Sequence, residues 1–346
     1  MKLPRILIVY TGGTFGMVES AGRVLSSPAL KPAALAKRLR QRVPELERIA
    51  HCDVDVLLNC DSAHVGPEGW KLIAQTIQRR WSKYDGVVLL HGTDTMAYTA
   101  SALSFLLRPC LKPVIITGAQ RPLSALRTDA RRNLISAVEI AAHGPRTTVN
   151  RVSIFFDRYL LQGNRARKRS ASEFYAFDSP QASHLASVGT GIRYAPLGKA
   201  VSRTKTPPSR AEFSRRVACL AVTPGFPAKV IRERLLEGLE GLVLTVFPSG
   251  TAPTHDPEFI ELLKAARKKG VPVVLATESI SESGGISEAN PAVYAAGQSL
   301  LREGAHWAGA MTPECAFVKT AWILAQENGA QDFGRWWAQE FAGEGA

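Results

Sequence analysis

RILIVY at Arg5–Tyr10 runs straight into Thr11-Gly12-Gly13-Thr14, an apolar strand-like run that stops on a glycine turn and a hydroxyl. The arrangement recurs three times. VDVLLN at Val54–Asn59 leads to Asp61-Ser62, GVVLLH at Gly86–His91 to Gly92-Thr93-Asp94-Thr95, and PVIIT at Pro113–Thr117 to Gly118-Ala119-Gln120. Uninterrupted apolar runs of this length suit strands buried on both faces, as in a parallel sheet. Parallel strands point the same way, so the loops that follow them gather on one edge, where open α/β sheets bind ligands. Hydroxyls, carboxylates and glycines converging there predict a site for a small polar molecule.

Working outward, amphipathic helical stretches at Lys31–Gln41, Pro67–Trp81, Thr95–Leu107 and Thr128–Ala142 alternate with these runs, and Val152–Phe156 adds a further strand. Strand, glycine turn, helix, strand is the pattern of βαβ units. Ala195–Arg210 (APLGKAVSRTKTPPSR) is polar, basic, proline-containing and without periodicity, which marks a linker. Beyond it, strands are predicted at Val217–Val222, Leu242–Phe247 and Val271–Thr277. Helices are predicted near Pro227–Leu236, Asp256–Lys269, Pro291–Leu301 and Pro313–Glu327. The expectation is an α/β protein of two domains with parallel-rich sheets flanked by helices: an N-terminal domain over 1–195, a linker over 196–211 and a C-terminal domain over 212–346.

The bulk composition limits the function classes. With 346 residues, 45% hydrophobic and 21% charged, the chain has enough apolar surface for a core without metal or disulfide support. Its five cysteines (Cys52, Cys60, Cys110, Cys219, Cys315) are scattered and form no C-x-x-C pair, so neither a zinc site nor a redox motif is indicated and no metal is expected. The short basic N-terminus lacks a cleavage site, and no apolar segment approaches membrane-span length; a cytoplasmic protein with no membrane association is expected. A net charge of +13 invites nucleic acid. Yet most of the basic runs, Arg165–Arg169 excepted, lie on helix faces or in a Pro/Ser-rich stretch, without interleaved aromatics to stack bases, so a solvated basic surface and no nucleic-acid partner are expected. G-x-G-x-x-G is unmatched, since the glycines fall at 12, 13 and 16, and no P-loop exists; no nucleotide or other cofactor is expected.

The loops themselves suggest acyl chemistry. Gly12-Gly13 lets the backbone turn sharply and approach a ligand, and Thr14 then projects into the crevice; the plain alternative is a tight turn with a capping threonine. Asp94 at a helix start has the same plain alternative, an N-cap, while its functional role would be to hold a substrate ammonium group beside Thr93. Each motif alone fits a cap as well as catalysis; the two on adjacent strand ends favour catalysis. A threonine needs a base to become a nucleophile. No histidine forms a triad, and a partly desolvated lysine can serve because burial favours the neutral amine. Lys168, a turn beyond Val152–Phe156, is a candidate, although spacing alone leaves it one basic residue among many.

YTGGTFGM at Tyr10–Met17 and LHGTDTMAYTASALSFLL at Leu90–Leu107 closely resemble the two signature segments of bacterial-type L-asparaginases, and most closely the cytoplasmic type I branch. Asp61-Ser62 followed by PEGW, ITGAQRPL at Ile116–Leu123, RTDARRNLISA at Arg127–Ala137 and FFDRYLLQGNRARK at Phe155–Lys168 extend the resemblance. It runs to about residue 180 and resumes, more weakly, over 217–327. The resemblance implies an asparaginase-like fold and hydrolysis of the side-chain amide of asparagine. Thr14 would form the acyl-enzyme, and Thr93, Asp94 and Lys168 a second hydroxyl-centred triad. Asp61, Ser62 and Asp94 would grip the α-carboxylate and α-ammonium, with Gly13, Thr93 and Ala119 completing the substrate site. It also implies a homodimer or homotetramer.

Departures from the family pattern are visible. The loop Val18–Leu25 (VESAGRVL) lacks the tyrosine that usually orients the nucleophile and carries Arg23 near its place. Ser249-Gly250-Thr251-Ala252-Pro253 replaces a glycine-asparagine feature. Thr245 and Glu278 or Ser279 stand where type I effector pockets carry arginine and cysteine, and Glu278–Glu288 is longer than its counterpart. Three other functions compete: a glutaminase, the asparaginase-like subunit of a tRNA-dependent amidotransferase, and a non-catalytic amino-acid sensor. The missing tyrosine speaks for the sensor; retention of Thr14, Thr93, Asp94 and Lys168 speaks against it.

Overall fold

The computed structural model describes residues 2–19, 25–26, 31–180, 182–196, 210–278, 292 and 294–345. The chain divides into two compact units, Met1–Ser179 with Ser183–Val201, and Pro180–Ala182 with Ser202–Ala346.

The first unit is built on eight strands: β1 (Arg5–Gly12), β2 (His51–Cys60), β3 (Gly86–Leu90), β4 (Val114–Thr117), β5 (Val152–Phe156), β6 (Tyr159–Gln162), β7 (Ala186–Val188) and β8 (Ile192–Tyr194). Their spatial order is β8-β7-β6-β5-β4-β3-β1-β2. The five strands from β2 to β5 pair in parallel, with Ile6 opposite both Cys52 and Gly86. The remaining three are added antiparallel. β3, β4 and β5 are buried throughout, and β1 from Ile6 onward. Alternation then splits their side chains between two helical layers. Ile6, Ile8, Tyr10, Val88, Leu90 and Ile115 share one core with Leu35 and Leu39 of helix Pro32–Arg42 and with Leu134, Ala137 and Ile140 of helix Ala130–His143. Leu7, Val9, Val87 and Leu89 point to the opposite face. Helices Pro67–Arg80 and Met96–Leu106 pack together there, and Trp70 Nε1 donates to Thr99 Oγ1 at 3.1 Å.

The second unit carries a parallel sheet of β9 (Val217–Ala221), β10 (Gly241–Val246), β11 (Val273–Thr277) and β12 (His306–Trp307), in that spatial order. Helices Pro257–Lys268, Ala295–Arg302 and Pro313–Leu324 accompany it. The strand expected from Val271 starts two residues later, after Pro272, whose ring nitrogen has no proton for a ladder. The helix expected over Pro227–Leu236 does not run as one: Ala228–Val230 is α-helical, Ile231–Leu235 widens into π-type turns, and Leu236–Gly238 tightens. Lys319 is 2% exposed and Glu344 is fully buried, and they pair at 2.8 Å. The ammonium also donates to the carbonyls of Trp337 and Gln339, and the carboxylate accepts from the backbone N–H of Phe341 and Ala342. No helix among the described residues is long and apolar enough to cross a membrane. Most of the predicted linker, Arg23, Ser279 and most of the extended 278–288 stretch lie outside the described residues.

Candidate active site

Glycines let the loops touch at the carboxyl edge of the parallel strands. Gly13, at φ 81°, lies so close to Gly92 that a β-carbon on it would sit 2.4 Å from the Gly92 α-carbon. A β-carbon on Gly92 would fall 2.7 Å from the Ser62 side chain. No other residue type allows either approach. Thr14, next to Gly13, opens a single tight turn that closes from the Met17 N–H to its carbonyl and is half-buried. Thr93, next to Gly92, is buried. The loops after β1, β2 and β3 therefore meet in one place.

Lys168 reaches into that place from a different element. Its Nζ donates to Thr93 Oγ1 at 2.7 Å and to Asp94 Oδ1 at 2.7 Å. Asp94 is not a helix cap: the residue at that position is Thr95, whose hydroxyl instead donates to the Ser62 carbonyl at 2.6 Å. Asp61 does cap, accepting from the Ala63 N–H at 2.8 Å and so fixing the Ser62–His64 turn. Ser62 is 3% exposed behind it. Ala119 is buried at the end of β4. Of the residues singled out, Thr93, Asp94 and Lys168 are in direct hydrogen-bond contact. Gly13 is brought against Gly92, and Gly92 against Ser62.

Several supporting groups escaped the sequence reading. His91 is fully buried. Its Nδ1–H faces the Gly92 carbonyl at 2.7 Å, which can only accept, so Nε2 accepts from the Thr99 hydroxyl at 3.0 Å. Burial pushes its pKa down to about 4, against a smaller opposing effect of the Gly92 carbonyl. Asp129, 3% exposed, accepts from the N–H groups of Gln120 and Arg121. Asn133, one helical turn on, donates to both Asp129 and the Gly118 carbonyl. Together they clamp the Gly118–Arg121 loop. Burial raises the Asp129 pKa, and those backbone donors oppose the rise. The i, i+4 spacing of Asp129 and Asn133 in RTDARRN was the one visible signal. Among the described residues no group of three His, Cys, Asp or Glu is placed to hold a metal ion.

Residues 5–197 match the family model for the asparaginase N-terminal domain, and residues 216–336 that for the glutaminase/asparaginase C-terminal domain. The chain belongs to the asparaginase family of amidohydrolases. L-asparaginase 1 of Escherichia coli K12 is 34% identical over 99% of this chain and 98% of its own length. The crystal structure of L-asparaginase I from Vibrio cholerae superimposes with a TM-score of 0.84 at 34% identity, covering 99% of both chains. A glutamyl-tRNA(Gln) amidotransferase component from Pyrococcus furiosus is 33% identical over 99% of this chain but only 77% of its own length. The asparaginase motifs thus coincide with the strand-end loops that meet at Gly13 and Gly92.

Proposed function

We propose that this chain hydrolyses L-asparagine to L-aspartate and ammonia through a threonine acyl-enzyme. The observation that carries the proposal is the Lys168 ammonium held 2.7 Å from both Thr93 and Asp94, one residue from the Gly92–Gly13 contact that leads to Thr14. Thr14 Oγ attacks the side-chain carboxamide carbon, the C–N bond breaks, and the nitrogen leaves as ammonia, carrying the proton that the Thr14 hydroxyl gives up. Water then attacks the ester; the Thr93 hydroxyl, whose oxygen is held by the Lys168 ammonium, takes the water's proton while passing its own to the departing Thr14 Oγ, which frees Thr14 and aspartate. Backbone N–H groups near Thr93 steady the oxyanion. Asp94 and Ser62, with Asp61 and the loop positions Gly13 and Ala119, hold the α-ammonium and α-carboxylate. The enzyme works in the cytoplasm as a homodimer or homotetramer.

Purified protein is tested by ammonia release from asparagine and from glutamine. One added methylene changes binding by only about 1–3 kcal/mol, so both substrates belong in the same assay. Thr14→Ala is expected to abolish turnover and leave asparagine affinity by calorimetry nearly unchanged, because the hydroxyl forms the bond while other groups hold the substrate. Wild-type turnover by Thr14→Ala would sink the nucleophile assignment and turn attention to Thr93.

A further inference from the structure

Lys168 is held on one of the smallest possible supports. It lies on a two-residue antiparallel ladder, Arg167–Lys168 against Phe177–Asp178, with Lys168 opposite Phe177 and Arg167 opposite Asp178. Two rungs of ladder outside a larger sheet have little stability of their own. Yet its ammonium must be kept on two specific oxygens. Something other than the ladder fixes the hairpin: the buried Phe177 ring packs on Phe156 of β5, 5.1 Å between centres, and two polar anchors are present. At the tip, Gln120 Nε2 donates to the carbonyls of Ser170 and Glu173 at 3.3 and 3.0 Å. At the base sits Asp178.

Asp178 collects groups from three directions. Oδ1 lies 2.9 Å from His184 Nε2, and Oδ2 lies 3.6 Å from Arg169 Nη1, while the Tyr175 hydroxyl and the Ser179 N–H also bond to the carboxylate. Arg169 in turn lies over the Tyr175 ring, 4.6 Å from its centre. The rings of His184 and Tyr175 flank Tyr159 of β6, at 4.1 and 5.5 Å between centres. The carboxylate therefore ties both strands of the hairpin to a strand of the main sheet. Burial alone would favour its neutral form, but the hydrogen bonds from His184 and Tyr175 outweigh this and draw its pKa down to about 2. At any working pH the knot is charged.

We propose that Asp178 is a positioning residue for the hydrolytic reaction: it anchors the 167–178 hairpin to the sheet through His184 and Tyr175, and so keeps the Lys168 ammonium on Thr93 and Asp94. This rests on the function proposed above. The carboxylate acts only through the lysine and touches no substrate.

The test uses Asp178→Asn, which keeps the size of the side chain and removes its charge. The full-length variant is expected to lose at least tenfold in kcat on asparagine with KM within twofold, since the groups that grip the substrate are elsewhere. In a Lys168→Met background the same change should cost nothing further. An additional loss there would show a general structural effect and overturn the proposal, as would wild-type kcat in the single variant. A second readout is independent of activity: amide hydrogen exchange across residues 167–178 should accelerate at least tenfold in Asp178→Asn. Unchanged exchange would also overturn the anchor. If the wild-type protein released no ammonia from asparagine or glutamine, the proposed function would fall, and the exchange measurement would still decide whether Asp178 holds the hairpin.

Discussion

His91 has no water in which to ionise. Its imidazole is neutral because burial lowers the pKa to about 4, and both ring nitrogens are spent on the Gly92 carbonyl and Thr99. In the unfolded chain the same ring titrates near 6.5. The folded pKa is the lower of the two, so its contribution to stability is complete above about pH 6.5. It is lost as the pH falls through the folded value. The difference corresponds to about 3 kcal/mol. Chemical denaturation of the wild type should therefore show stability falling between pH 6.5 and 4, and His91→Asn should flatten that slope. Parallel slopes in the two proteins would show that the ring is not the titrating group. The local damage would be specific, because a protonated Nε2 can no longer accept from Thr99, while Nδ1–H still holds the Gly92 carbonyl, one peptide from Thr93.

At the scale of elements, the strand ends carry the site only because glycine lets them close. Gly13→Ala would strain a backbone at φ 81° and drive a methyl into Gly92. A displacement of about 1 Å between reacting groups costs on the order of 10²-fold in rate, and a loss of that size in kcat on asparagine is expected with the sheet intact by circular dichroism. Wild-type turnover would show that the two loops need not touch. These loops were legible in the sequence because β1, β3 and β4 are buried on both faces and so read as apolar runs leading into glycine. The antiparallel additions β6 to β8 were not legible, being three or four residues long with polar residues among them. Nor was the ladder under Lys168, where the groups that meet on Asp178, His184 and Tyr175, lie on segments that carry no periodicity. Asp94 was ambiguous for a physical reason: a carboxylate at a helix start suits a cap as well as an ion pair, and only the approach of Lys168 from 74 residues away separates the two.

At the scale of the whole molecule, each unit has its own sheet and core, and the second unit buries the Lys319–Glu344 charge pair. Taking one partner from a buried pair costs about 3–5 kcal/mol, because the other charge is left without compensation. Glu344→Ala should lower the unfolding free energy by that order, measured by denaturant titration, whereas replacing both partners by apolar residues should cost less. An equal loss in the single and double variants would show that Lys319 does not need its carboxylate. The pairing also bears on how the chain comes off the ribosome. Synthesis delivers the first unit early, and domains fold as they emerge. Lys319, however, is translated before the residue that neutralises it. Until position 344 has left the exit tunnel, the nascent second unit must leave that ammonium in water or hold its core open, so its final closure waits on delivery of the Glu344 carboxylate.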